Sequence, residues 1–296
     1  MAPNAIYRED RCVMLSHSFK MRSFNVGNGH EIVLPSGKTL LIDPYYPDKT
    51  PGHTQEDIQG ADYVIVTHTH FDHELNLGYI VRKFNSKVIL PAVSALAEAK
   101  YHQLPYDSIY PAFPGGKMTF PDFSIEVFQA KHNTLGAACY NPDVDVTYKM
   151  TGVKGDLDVD ALGGIFSIDC LITLNNGFKI LLASGQNVWE ESISKFREIR
   201  PNMLVRQCSV RPMGQDMYSG GQVDAETLAK LFTSYNAQIL VPFHMDSILK
   251  KWDAEKLEQY FKDVAQWVQK LDPGAVFLPP KAWTWYNIGI DVSLAE

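Results

Sequence analysis

Three histidines and an aspartate fall within six residues, His68-Thr69-His70-Phe71-Asp72-His73, directly after the apolar run Ala61-Asp62-Tyr63-Val64-Ile65-Val66-Thr67. That run is β-branched and too short for a helix, so it reads as a strand delivering the chain into the cluster. On an extended segment, residues two apart project to the same side, so His68 and His70 can face one ion together. Asp72 and His73 follow as the chain turns away, offering a carboxylate and an imidazole to a second position. These donor types suit zinc and its neighbours among the divalent transition metals. A lone histidine is commonly a surface or satisfied core residue. Here three of the nine histidines sit in one run beside an aspartate, which favours the metal.

The surrounding sequence alternates strand and helix signals. A hairpin runs from Asn25 to Asp43 around the turn Pro35-Ser36-Gly37-Lys38. After the cluster, residues 75–85 read as a helix, 87–90 as a strand stopped by Pro91, and the alanine-rich 92–101 as a second helix. Strands are expected at Phe123–Gln129 and 166–174, separated by a stretch, 133–164, with Gly, Asp and Pro scattered through it. The last third predicts strands at Lys179–Ala183, 203–206, 238–242 and 275–278, with helices at 225–235 and 252–271. There is no short internal repeat. Hairpin-rich sheets followed by helices, in two successive halves, predict an α/β chain built as an αββα sandwich, with two central mixed sheets and helices on the outer faces.

The 296 residues are 45% hydrophobic and 21% charged, enough for a full core. One domain over 1–296 is expected, with 133–164 as an insertion or lid inside it. A net charge of -7 offers no general attraction for nucleic acid or an anionic membrane, although a metal centre can still draw an anionic small molecule. Arg8, Glu9, Asp10 and Arg11 are unlike a secretory segment and no apolar run approaches a membrane span, so a cytoplasmic location is expected. Cys12, Cys139, Cys170 and Cys208 are far apart with no C-x-x-C pair, which argues for buried free thiols over disulfides or a zinc knuckle. A homo-oligomer stays open.

The segment Thr67 to His73 resembles the H-x-H-x-D-H motif of the metallo-β-lactamase superfamily. Other landmarks follow in that family's order: a glycine turn and a strand ending in Asp43, then Lys131-His132-Asn133 after a strand, then Val241-Pro242-Phe243-His244 as a closing Pro-x-His element. The sparing use of glycine after His73, the Ile42-Asp43-Pro44 strand end and segment 213–231 look most like the ascorbate-6-phosphate lactonase branch. The resemblance implies the metallo-β-lactamase fold, with His68, His70 and His132 on a first metal and Asp72, His73 and His244 on a second. Asp43 would orient a ligand by hydrogen bonding. One departure stands out. The family places a bridging aspartate after a Ser/Ala-Gly pair, and Leu182-Ala183-Ser184-Gly185-Gln186 has glutamine there. An amide does not offset two dications, so either one or two ions are compatible with this chain. Asp169 is nearby in sequence, but its spacing does not make it a substitute.

The implied function is a metal-dependent hydrolase in which a divalent ion, zinc first and manganese or iron next, activates water against a small ester, lactone or phosphodiester. Asp72 would orient the water or accept its proton. No G-x-S-x-G motif points to a serine nucleophile. Two alternatives stay in view. A two-iron redox enzyme of the same fold usually carries a glutamate where His70 stands, and a degenerate, metal-poor binding or scaffold protein is suggested by Gln186. His30, Tyr45, Tyr46, Arg206, Arg211 and Tyr218 can contact a ligand, or can serve as solvated arginines and packing aromatics. Arg211, with Tyr218 beside it, is the choice for an anionic group.

Overall fold

The computed structural model describes residues 19–24, 29–45, 52–131, 166–185, 190–208, 224–244 and 253–289. Strands β1 (Phe19–Ser23), β2 (His30–Val33) and β3 (Thr39–Ile42) form an antiparallel meander, and β4 (Tyr63–Ile65) joins it parallel to β3. A single helical turn, α1 (Phe71–Glu74), and helix α2 (Leu77–Phe84) lead to β5 (Lys87–Pro91), and α3 (Ala95–His102) leads to β6 (Ile109–Ala112), both strands parallel to β4. The chain then crosses to a second sheet through β7 (Lys117–Thr119) and β8 (Phe123–Gln129), followed by β9 (Ile168–Leu174) and β10 (Lys179–Ala183). Helix α4 (Glu190–Ile199), β11 (Met203–Gln207), α5 (Ala225–Ser234), β12 (Ile239–Phe243), α6 (Ala254–Leu271) and β13 (Val276–Phe277) extend that sheet in parallel. The last strand, β14 (Tyr286–Ile288), returns to the first sheet beside β1.

Among the described residues the result is two mixed seven-stranded sheets, ordered β14-β1-β2-β3-β4-β5-β6 and β13-β12-β11-β10-β9-β8-β7. The period of two along each strand sorts the side chains into layers. Leu40 and Ile42 of β3, Ile65 of β4, Ile172 of β9, Leu182 of β10 and Val205 of β11 meet between the sheets. Their neighbours face outward. Leu41, Val64 and Val88 pack under Leu77, Ile80 and Val81 of α2, and Leu181, Leu204 and Leu240 pack under Phe196, Phe232 and Val264 of α4, α5 and α6. That is the expected αββα sandwich. Helices α5 and α6 start where Asp224 and Asp253 accept the backbone N–H of Thr227 and Lys256 at 2.9 and 2.8 Å.

Several boundaries differ from the sequence expectation for physical reasons. The strand expected to run to residue 67 ends at Ile65, because the Thr67 N–H turns to the side chain of Asp43 instead of a neighbouring strand. Asp72 and His73 lie on the helical turn α1 and not on an open loop. Among the described residues no helix is long and apolar enough to cross a membrane. Cys170 and Cys208 are buried free thiols, as expected, while Cys12 and Cys139 lie outside the described residues. Segment 133–164 lies outside them too.

Candidate metal centre

The site forms where strand ends of both sheets meet. Asp43 follows β3, Thr67 follows β4, α1 begins four residues later, and His244 follows β12. The backbone joins the two sheets at this edge, since the Ile168 N–H donates to Thr67 O at 3.0 Å. Both Asp43 and His244 adopt left-handed backbone, φ 47° and 59°, which swings each side chain out of its strand's alternation.

Asp43 is fully buried and its carboxylate accepts from three donors: Thr67 N–H at 2.7 Å, Thr67 Oγ1–H at 2.8 Å and His73 Nδ1–H at 2.9 Å. Because the Thr67 hydroxyl gives its proton to Asp43, its oxygen accepts from His68 Nδ1–H at 3.1 Å. The chain of bonds therefore fixes the same tautomer in both rings, leaving Nε2 of His68 and of His73 as the nitrogen with the lone pair. His73 Nε2 is buried with no hydrogen-bond partner among the described residues, which fits a ligand nitrogen awaiting an ion.

The rings cluster tightly. Centroids lie 4.8 Å apart for His68 and His70, 3.8 Å for His68 and His73, and 5.0 Å for His73 and His244. Asp72 Oδ2 lies 3.1 Å from His244 Nε2, and Asp72 Oδ1 lies 3.9 Å from His73 Nε2. Asp72, His73 and His244 thus place three donor atoms within 4.8 Å of one another, as ligands of one ion must be. Burial holds His70 down at about 4, against the pull of Asp72 and with the help of His73 and His244, so its ring is neutral and its lone pair available. Burial alone would raise Asp72, but His73 and the hydrogen bond from His244 outweigh it and hold the carboxyl well below its ordinary range. Imidazoles around an ionised carboxylate are donor types that a divalent transition metal takes.

Of the residues expected from sequence, His68, His70, Asp72, His73, His244 and Asp43 converge here. His132, Gln186, Arg211, Tyr218 and Tyr46 lie outside the described residues. The two segments that lead into His132 and Gln186 touch: a Cβ on Gly185 would meet the Lys131 backbone N and O at 2.8 Å. The turn before Gln186 is held by Asp169, whose carboxylate accepts the Ser184 N–H at 2.8 Å. Burial raises Asp169 to about 6, opposed by Arg206 and by the Ser184 and Gly185 N–H groups. Two residues considered for ligand contact are instead internal. Arg206 is 1% exposed, donates to Gly185 O at 3.4 Å and lies over the Tyr235 ring. His30 is equally buried, bonded through Nδ1 to Ser23 Oγ at 2.8 Å, with its ring edge on Phe243. Sequence reasoning missed Thr67, the link between His68 and Asp43; a threonine before a histidine gives no signal until the strand end places Asp43 beside it.

Residues 26–140 match the profile of the metallo-β-lactamase superfamily. A UPF0173 metal-dependent hydrolase of Polynucleobacter asymbioticus is 30% identical over 158 residues, covering 51% of each chain. The chain spans about half the length of the curated relatives it matches. Among solved structures, Igni18, a metallo hydrolase from the archaeon Ignicoccus hospitalis, superposes with a TM-score of 0.63 at 15% identity, covering 93% of this chain and 100% of that one. An isothiocyanate hydrolase from Delia radicum gut bacteria superposes with a TM-score of 0.58 at 17% identity, covering 91% and 99%. With its two seven-stranded sheets between helices, the chain has the metallo-β-lactamase fold.

Proposed function

We propose that this protein is a metal-dependent hydrolase acting on a small ester, lactone or phosphodiester, with zinc first and manganese or iron next as its ion. The observation that carries the reading is His73: Nδ1 tied to Asp43, and Nε2 buried, facing Asp72 and His244, and without a hydrogen bond among the described residues. The name metal-dependent hydrolase borne by the curated relatives points the same way. The finer likeness to ascorbate-6-phosphate lactonases and the roles of Arg211 and Tyr218 toward an anionic group are part of this proposal.

Asp72, His73 and His244 would hold one ion, and His68 and His70 with His132 another. Bound there, a divalent ion supplies Lewis acidity and brings the pKa of water toward about 7. The protein's own groups do the rest. Asp43 and Thr67 keep the His68 and His73 rings from rotating, so their Nε2 atoms stay aimed inward. Asp72, ionised at neutral pH, would orient a nucleophilic water or accept its proton as well as ligate. Gln186 leaves the count at one or two ions.

Metal analysis and turnover of generic lactones and phosphodiesters test the reading. Zinc- or manganese-loaded protein should be colourless and hydrolytic, and replacement of His68 and His70 by alanine should abolish both metal and activity. Full activity in that variant, or no metal retained after reconstitution, overturns it. An iron-dependent optical absorption band with no hydrolysis would support redox chemistry instead.

A further inference from the structure

Next in sequence to the proposed metal ligands, Glu74 meets two more ionisable side chains in the interior. Glu74 ends α1, and Glu98 and His102 lie one turn apart on α3, with exposures of 1%, 0% and 8%. His102 Nε2 is in direct contact with Glu74 Oε2 and lies 3.4 Å from Glu98 Oε2. One donor atom from each falls within 4.8 Å of the others.

We propose that Glu74, Glu98 and His102 form a second divalent-metal site, structural in role, which ties α3 to the helical turn carrying Asp72 and His73. The donor set is one imidazole and two carboxylates, which suits zinc, manganese or iron(II). The ring is aimed by its surroundings. Gly78 of α2 lets His102 pack so closely that a Cβ there would meet its carbonyl at 3.0 Å and its Nδ1 at 3.2 Å. Arg82 Nη1 donates to the same carbonyl at 2.9 Å, and the Tyr101 ring stands edge-on at 4.7 Å. Nε2 is thereby turned inward, between the carboxylates.

One proton on Nε2 can serve one carboxylate oxygen well, yet two converge on it. An ion in its place is ligated by Nε2 and by both oxygens, once Glu74 withdraws to make room. Burial, aided by Arg82, holds His102 down at about 3, so the ring is neutral at neutral pH. Arg82 is exposed and engaged with a backbone carbonyl, so its charge is largely screened by solvent.

Anomalous diffraction from crystals of the full chain equilibrated with manganese(II) chloride, and separately with zinc(II) chloride, tests the site without any variant. A peak between Glu74, Glu98 and His102 is expected, independent of whether the Asp72, His73 and His244 centre is filled. In solution, Glu98→Gln should lose one ion per chain relative to the parent while retaining hydrolysis. No peak at the cluster with either metal, together with an unchanged metal count in Glu98→Gln, overturns the proposal and leaves the three side chains closed by protons alone.

Discussion

Asp43 bears on the site more than any ligand does, because one carboxylate orders two imidazoles through three hydrogen bonds. Asp43→Asn keeps the volume but puts an NH2 where one of those donors now points. Metal affinity should fall about 10–100-fold with the fold intact, measured by competition with a chromophoric chelator. An unchanged affinity would mean that the rings are set by packing alone. His30 offers a separate test at this scale. Its burial holds it at about 4, below its ordinary 6.5, against a small opposing pull from Asp43. The unfolded chain takes up that proton at the higher pH, so the stability of the neutral buried ring is fully present above pH 6.5 and is lost as pH falls toward 4. The loss is on the order of 3 kcal/mol. Asp169, raised to about 6, has the opposite slope, so the difference between parent and His30→Gln melting curves isolates the histidine. Equal slopes in the two proteins would refute the assignment.

Among elements, the turn after β10 is the most exacting. Gly185 lies against the Lys131 backbone with no flexible side-chain end to yield. Gly185→Ala should cost about 1–3 kcal/mol in denaturant titration. It should also weaken metal binding, since the two segments it separates lead to His132 and Gln186. Much at this scale was legible. Strands Phe123–Gln129 and Lys179–Ala183 were expected with the bounds they have, because alternation and flanking turns define them. The strands β1, β6, β7 and β14 and helix α4 were not, being short, edge-lying or polar, and β14 pairs with β1 from the far end of the chain. Chemistry announced the proposed ligands: histidine beside aspartate is informative wherever it folds. The Glu74, Glu98 and His102 meeting was invisible because it depends on how α3 docks against α1, which no local pattern encodes. Arg206 misled for the converse reason, since charge suggests surface while this guanidinium lies under Gly185 and over Tyr235.

The whole molecule is held by side chains shared between its sheets. Leu182→Ala, in the inter-sheet core, should cost about 2–5 kcal/mol in unfolding free energy, whereas a loss under 1 kcal/mol would mean that the sheets close over the gap. The proposed metal centre would add a second tie, because Asp72 and His73 come from the first sheet's connections and His244 from the second's. An ion at 100 times its dissociation constant should raise stability by about 2.7 kcal/mol, seen as a lower melting temperature on adding chelator. The left-handed corners at Asp43 and His244, one at the end of a strand in each sheet, carry a further meaning. Glycine at either corner would relieve roughly 1 kcal/mol of backbone cost. It would also remove the group that aims His73, or the one that completes the donor set with Asp72. A chain shaped for durability alone would have no reason to keep aspartate and histidine there, so under the proposed function these two corners mark where persistence has been traded for activity.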